Sequence, residues 1–285
     1  MRVRAHRRRG RMAVVLAATL ITSVGVHRSS GQERLTRGQT IAPSFEGFEE
    51  NSDGTFNMVF GYLNRNYEEI LDVPIGPANN IEPDGPDQGQ PTHFLPRRRR
   101  HEFRIKVPKD FGQKELVWTL TVRGKTEKAY ATLRPGYIID NRVMMMNQSG
   151  FGQHGNEGEN QPPVVKVEGD SHRTVKVGES VVLTAFVTDD GLPQPPRASK
   201  RTDRGGREVG LRAGWYVYRG SGNVTFEPEQ VIGVYPPGWV PPPLPKDGRF
   251  SVKATFSEPG TYVVRVMGDD VALRSTQNVT VTVIR

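Results

Sequence analysis

Apolar side chains return at every second position through the C-terminal half of the chain. Val181, Leu183, Ala185 and Val187 fall on one face of a strand, and Phe250, Val252, Ala254 and Phe256 on one face of another. Tyr262, Val264 and Val266 repeat the pattern, as do Val279, Val281 and Val283. A period of two places each set on the buried side of a half-exposed strand. Val164 to Val167, Thr174 to Val177, Trp215 with Val217, and Val224 to Phe226 supply further short strands, while Gly178 and Asp189-Asp190-Gly191 mark turns between them. Strands at this spacing predict one β-sandwich over residues 164–285.

The first half is less regular. From Gln32 to about Asn51 the periodicity is weak, which predicts a loosely ordered lead-in. Thr55 to Asn64 reads as an interior strand and Glu68 to Ile75 as its partner, closed by Pro74 and Gly76. Residues 76–96 are rich in Gly, Pro, Asn and Asp and predict a long loop with at most a short strand. In Arg97 to Val107, Phe103, Ile105 and Val107 share the inward parity, and Arg98, Arg100, Glu102, Arg104 and Lys106 the outward one. Leu116, Trp118, Leu120 and Val122 follow, then Glu127 to Leu133 after a turn at Gly124-Lys125. Residues 141–163 lose alternation after the methionines and are dominated by Gly, Asn, Gln and Glu, the composition of a linker. The expected organisation is all-β. A signal helix over residues 1–31 precedes a sandwich over 32–140, a linker over 141–163 and a second sandwich over 164–285.

Charge changes the picture only at the N-terminus. The chain carries +8 formally, from 39 basic and 31 acidic residues. Residues 1–31 hold seven arginines and no acid, so removing them leaves 32 basic residues against 31 acids, a balance of +1. A near-neutral remainder argues against nucleic-acid binding through bulk charge. The same segment has a basic start, an apolar run from Met12 to Val26 and a short polar end with Ser29 and Gly31 before Gln32, the grammar of an export signal cut before Gln32. If uncleaved it would be the chain's contact with a membrane. Cysteine is absent, which excludes disulfides, thiolate metal sites and a cysteine nucleophile, and favours a bacterial envelope over a eukaryotic secretory route.

The stretches VKVGESVVLTAFVTDDGLP, GWYVYRGSGNVTF, ATFSEPGTYVVRVMGDD and VTVTV together resemble PKD-like domains of the immunoglobulin-like superfamily. The resemblance spans nearly all of residues 163–285. It implies that Trp215 fills the space between two sheets and that Tyr262 ties a turn to the backbone through its hydroxyl. The chain departs from the family in residues 192–213, a long basic connection, and in residues 233–245, where proline accumulates. Over about residues 40–140, NMVFGYLNRN, DVPIGPANN, DQGQPTHF and VWTLTVRGKTEKAYATL resemble an immunoglobulin-like module of bacterial exported proteins, in which Trp118 would be a core residue.

Candidate chemistry is sparse. Arg98 and Arg100 in the Arg97–His101 run could meet a phosphate, sulfate or uronate polymer, because guanidinium forks match such anions, although a solvated start of a strand reads the same way. Lys200, Arg201 and Arg204 sit in the long basic loop, and Tyr235 and Trp239 in the proline stretch could offer a platform to a sugar or peptide. Asp189, Asp190, Asp269 and Asp270 lie at strand ends and could share Ca²⁺ if the sandwich brings them together. Met144, Met145 and Met146 with His154 are soft ligands whose spacing matches no strict copper site, and thioethers fill gaps equally well. Sequons at Asn147, Asn223 and Asn278 read as coincidence in a bacterial protein. No helix-borne histidine pair, nucleophile elbow or phosphate loop occurs. The reading is therefore an extracytoplasmic, non-catalytic protein with no cofactor, making protein or glycan contacts at the envelope or acting as a spacer. The alternative is an accessory or sensor protein whose basic loops bind anionic polysaccharide or lipid headgroups.

Overall fold

A computed structural model describes residues 35–147, 157–192, 210–230 and 244–285. The expected export segment lies outside them. Among the described residues no helix is long and apolar enough to cross a membrane.

The N-terminal strands are β1 (Ile41–Glu50), β2 (Phe56–Asn64), β3 (Leu71–Asp72), β4 (Asn79–Glu82), β5 (His93–Phe94), β6 (Arg97–Val107), β7 (Leu116–Val122) and β8 (Lys125–Ala131). They form an antiparallel sheet β1-β2-β6, a second sheet β4-β7-β8 and a two-stranded ribbon β3-β5. The core between them is aromatic. Trp118 meets Phe60 and Phe103 edge-on, with ring centroids 6.0 and 5.0 Å apart, and stacks at 6.4 Å on Phe94. Its Nε1–H donates to Asn79 Oδ1 at 3.0 Å, and Asn79 Nδ2 in turn donates to the carbonyls of Val73 and Pro91, so the loop-rich stretch is pinned beneath the indole.

Two expectations are corrected here. The lead-in is a ten-residue strand, β1, paired along β2. A register shift between Phe45 and Gly47 puts one extra residue into β1, which breaks the period of two that would have announced it. The segment over residues 68–75 contributes only β3, which pairs with β5, while β2 takes β1 and β6 as its neighbours.

Within residues 141–163, Asn141–Asn147 form a short helix, α1, that buries Met144 and Met145 against Val59, Ile139 and Leu273. The C-terminal strands are β9 (Val164–Val167), β10 (His172–Lys176), β11 (Ser180–Thr188), β12 (Arg212–Arg219), β13 (Val224–Glu227), β14 (Arg249–Phe256), β15 (Gly260–Asp269) and β16 (Arg274–Ile284). Their two sheets run β13-β14-β11-β9 and β10-β16-β15-β12. Taken in chain order, with β9 and β10 as the two halves of a first strand, these are the two sheets of an immunoglobulin sandwich. Trp215 on β12 is buried between them. Tyr262 opens β15 and donates from its hydroxyl to the Glu258 carbonyl at 3.0 Å, closing a tyrosine corner. Gly220 permits that corner, because at its φ of +124° a Cβ would lie 2.4 Å from the Tyr262 ring. The chain is thus all-β, two sandwiches in series.

Candidate functional site

The two sandwiches belong to one compact unit, and the chemistry concentrates where they meet. The feature begins in β6. Gly61 on β2 lies so close to this strand that a Cβ would come within 2.4 Å of the Arg99 carbonyl, and the pairing of β2 with β6 shifts register beside it. His101 takes a φ of +51°. Three β6 residues, Arg100 to Glu102, stand against Gly61 alone, and Glu102, expected on the solvent side, is buried along with Arg99.

From the other sandwich, the outer face of β12 and β15 supplies Tyr216, Tyr218, Arg265 and Met267, all buried. Tyr216, Tyr218 and Met267 pack into the N-terminal core itself. Glu102 is the hub. It accepts from Arg99 Nε at 3.1 Å and from the Tyr216 hydroxyl at 2.9 Å, and its backbone carbonyl accepts from Arg265 Nη1 at 2.6 Å. Arg99 lies over the Tyr216 ring and Arg265 over the Tyr218 ring, 5.0 and 3.4 Å from the centroids. Arg265 Nε is held by Asn278 Oδ1 at 2.7 Å. Burial opposes the Glu102 charge, but the two guanidiniums and the tyrosine hydroxyl outweigh it and hold the carboxyl below its usual range. A clasp at the edge completes the join. Arg219 makes a two-pronged ion pair with Asp87 at 2.8 and 3.1 Å and donates to the Gln90 carbonyl, while Tyr218 donates to the Gly89 carbonyl.

Beside this cluster opens a cleft of about 620 Å³ between the sandwiches. Its polar wall carries Arg100, His101, Arg104 and Arg274, and Tyr216 and Met267 contribute to its apolar side. Arg104 is paired to Glu49 and Arg274 to Asp269. Burial, then the nearby Arg104 and Arg274 charges, push the His101 imidazole down to about 4. His101 is therefore neutral there at neutral pH.

The sequence-derived candidates separate in space. Arg98 is drawn along its own sheet to Glu46 and Ser44, at 2.6 and 2.7 Å, whereas Arg100 lines the cleft and donates to the Asn147 carbonyl. Lys200, Arg201, Arg204, Tyr235, Trp239 and His154 lie outside the described residues. Of the acidic candidates, Asp269 is engaged by Arg274 and Arg212. Asp270 caps the turn at Ala272 and Leu273 and accepts from Asn160 at 3.0 Å. Asp190 accepts from the Gln161 and Leu192 amides, and Asp189 from that of Gly191. Among the described residues no group of three or more histidines and carboxylates is arranged to hold a metal ion. The methionines named as soft ligands divide, with Met144 and Met145 buried and Met146 exposed.

Burial, joined by the nearby Asp189 charge, raises the Asp270 carboxyl to about 6. His101 and Asp270 then act on stability in opposite senses. The folded value of His101 lies below its ordinary 6.5, so its contribution is present above pH 6.5 and is lost as the pH falls toward 4. The folded value of Asp270 lies above its ordinary 3.8, so its contribution is full below that pH and is lost as the pH rises through 6. Measured against the parent at each pH, His101→Asn should gain in urea midpoint as the pH falls from about 6.5 to about 4, and Asp270→Asn should gain as it rises from about 4 to about 6. Changes of the same sign in both variants would contradict these environments.

No family model matches the chain, and no curated protein matches it. Among solved structures it is similar to domains 4 and 5 of the S-layer protein SbsC, at 8% identity over 61% of this chain and 66% of that one, with a TM-score of 0.26. It is also similar to the D00-D0 domain of intimin, at 12% identity over 86% of this chain and 100% of that one, with a TM-score of 0.26. The third is the Yersinia pseudotuberculosis adhesin InvE, at 9% identity over 85% and 58% of the two chains, with a TM-score of 0.24. Likenesses at these scores decide nothing about role, and the assignment of the fold rests on strand order and the tyrosine corner.

Proposed function

We propose that the chain is a non-catalytic, extracytoplasmic module that makes protein or glycan contacts at the cell envelope, or sets a spacing there, with its two sandwiches acting as one rigid body. The observation that carries this reading is the buried join, in which Glu102 is shared by Arg99, Arg265 and Tyr216 across the two sandwiches. The join is backed by Tyr216, Tyr218 and Met267 packed into the N-terminal core, and an apolar interface opposes the relative motion that interdomain contacts otherwise leave. The export grammar of residues 1–31 and the missing cysteines supply the compartment, and the C-terminal sandwich is taken as a PKD-like member of its superfamily. Residual dipolar couplings measured for both sandwiches should fit one alignment tensor. Two tensors of different magnitude would overturn the rigid-body reading.

A second reading, binding of anionic polysaccharide, is favoured by the cationic cleft around Arg100 and Arg274. It expects retention on an anionic glycan column at low salt that weakens as salt is added, because charge contacts are screened. Passage straight through such a column at low salt would end it.

A further inference from the structure

The cleft at the join can be read further than its charge. Five guanidiniums line it, those of Arg99, Arg100, Arg104, Arg265 and Arg274. Among the described residues the carboxylates that pair with them are three, Glu49, Glu102 and Asp269, so these residues keep a positive surplus after their internal pairs are counted. Glu102 is enclosed between Arg99 and Arg265, which leaves those two guanidiniums as structure rather than as free binders. Arg100, Arg104 and Arg274 remain on the open side, and Arg100 is held among the described contacts by a backbone carbonyl alone, an uncharged partner. The lining also includes the apolar side chains Phe103, Met144, Met267 and Leu273, each buried but for a few per cent of its surface. The volume of about 620 Å³ suits a ligand of one or two rings. A bare inorganic anion would use the guanidiniums and leave the apolar side chains unused. A sugar ring carrying a carboxylate uses both, its acid on the guanidinium forks and its C–H face on the apolar side chains.

We infer that this cleft is a binding site for an acidic sugar, a uronate unit seated between the two sandwiches with its carboxylate on Arg100 and Arg274. The inference rests on the second reading above for its ligand class, and it adds the place and the unit recognised. His101 is the reporter, because the cations that surround it would be partly neutralised by a bound carboxylate.

The test is a titration of the full chain with a galacturonate trimer, and separately with inorganic phosphate, following the His101 ring resonances by NMR and the affinity by calorimetry. The expected results are three. The trimer raises the His101 pKa by about one pH unit, as a nearby opposite charge does. It binds more tightly than phosphate. Arg100→Gln weakens it roughly tenfold, the worth of one charged hydrogen bond, while leaving the urea midpoint of the chain in place. Equal binding of phosphate and trimer with the same His101 response would overturn the sugar assignment. Retention on a polyuronate column with His101 unmoved would leave the second reading standing and remove the cleft from it. Absence of both retention and His101 response would overturn both together.

Discussion

Glu102→Gln should destabilise the chain by about 3–5 kcal/mol, the usual cost of leaving buried charge without its partner. The side chain is nearly the same size, so packing is preserved and only the charge is lost. Arg99 and Arg265 have side chains 5% and 6% exposed, so water at the cleft recovers little of their solvation. The faces of Tyr216 and Tyr218 would soften the loss without removing it, since a cation over an aromatic ring is worth less than an ion pair shared by two guanidiniums. Replacing the whole set, with Arg99→Met, Glu102→Leu and Arg265→Met together, should restore much of the stability, because apolar groups of similar volume need no counter-charge. Urea unfolding measures both. A Glu102→Gln variant within about 1 kcal/mol of the parent would show that the cluster is solvated in solution.

Trp118→Ala should cost about 3–5 kcal/mol, typical of removing a buried indole. Its ring touches Phe60, Phe94 and Phe103, so the cavity is bounded by three aromatic rings that cannot collapse into it without tilting. The loss reaches further than the core. Asn79 would keep its donors on Val73 and Pro91 but lose the proton its Oδ1 accepts, leaving a buried carbonyl unpaired. Trp118→Phe separates the two effects, with a smaller volume loss and the same unpaired Asn79. A neutral Trp118→Phe would contradict both contributions, since it loses ring volume as well as the bond to Asn79.

How much of this was legible in the sequence depends on whether alternation was interrupted. Strands β11, β14, β15 and β16 read correctly because their inward positions never slip. Strand β1 was hidden by one extra residue near Gly47, which makes a regular strand look irregular. The join was hidden because Glu102, at a solvent-side parity, is buried by Tyr216 and Arg265 of the other sandwich. Two signals were present nonetheless. Arg99 shares the parity of Phe103, Ile105 and Val107, and an arginine at a core parity demands a partner. Tyr216, Tyr218 and Met267 occupy the parity opposite to Trp215, Val217 and Val266, so the outer face of that sheet was too apolar to meet only water. What no local pattern could supply was the pairing of Glu102 with Arg265, 163 positions along the chain.

If the join makes the two sandwiches behave as one body, they unfold together. Equilibrium urea unfolding of the full chain, followed amide by amide by NMR, tests it most directly. Amides of β2, β6 and β7 and amides of β11, β14 and β15 should lose their native resonances at one shared midpoint, which Glu102→Gln lowers for both sets. Two separate midpoints, with Glu102→Gln moving only the first, would contradict it.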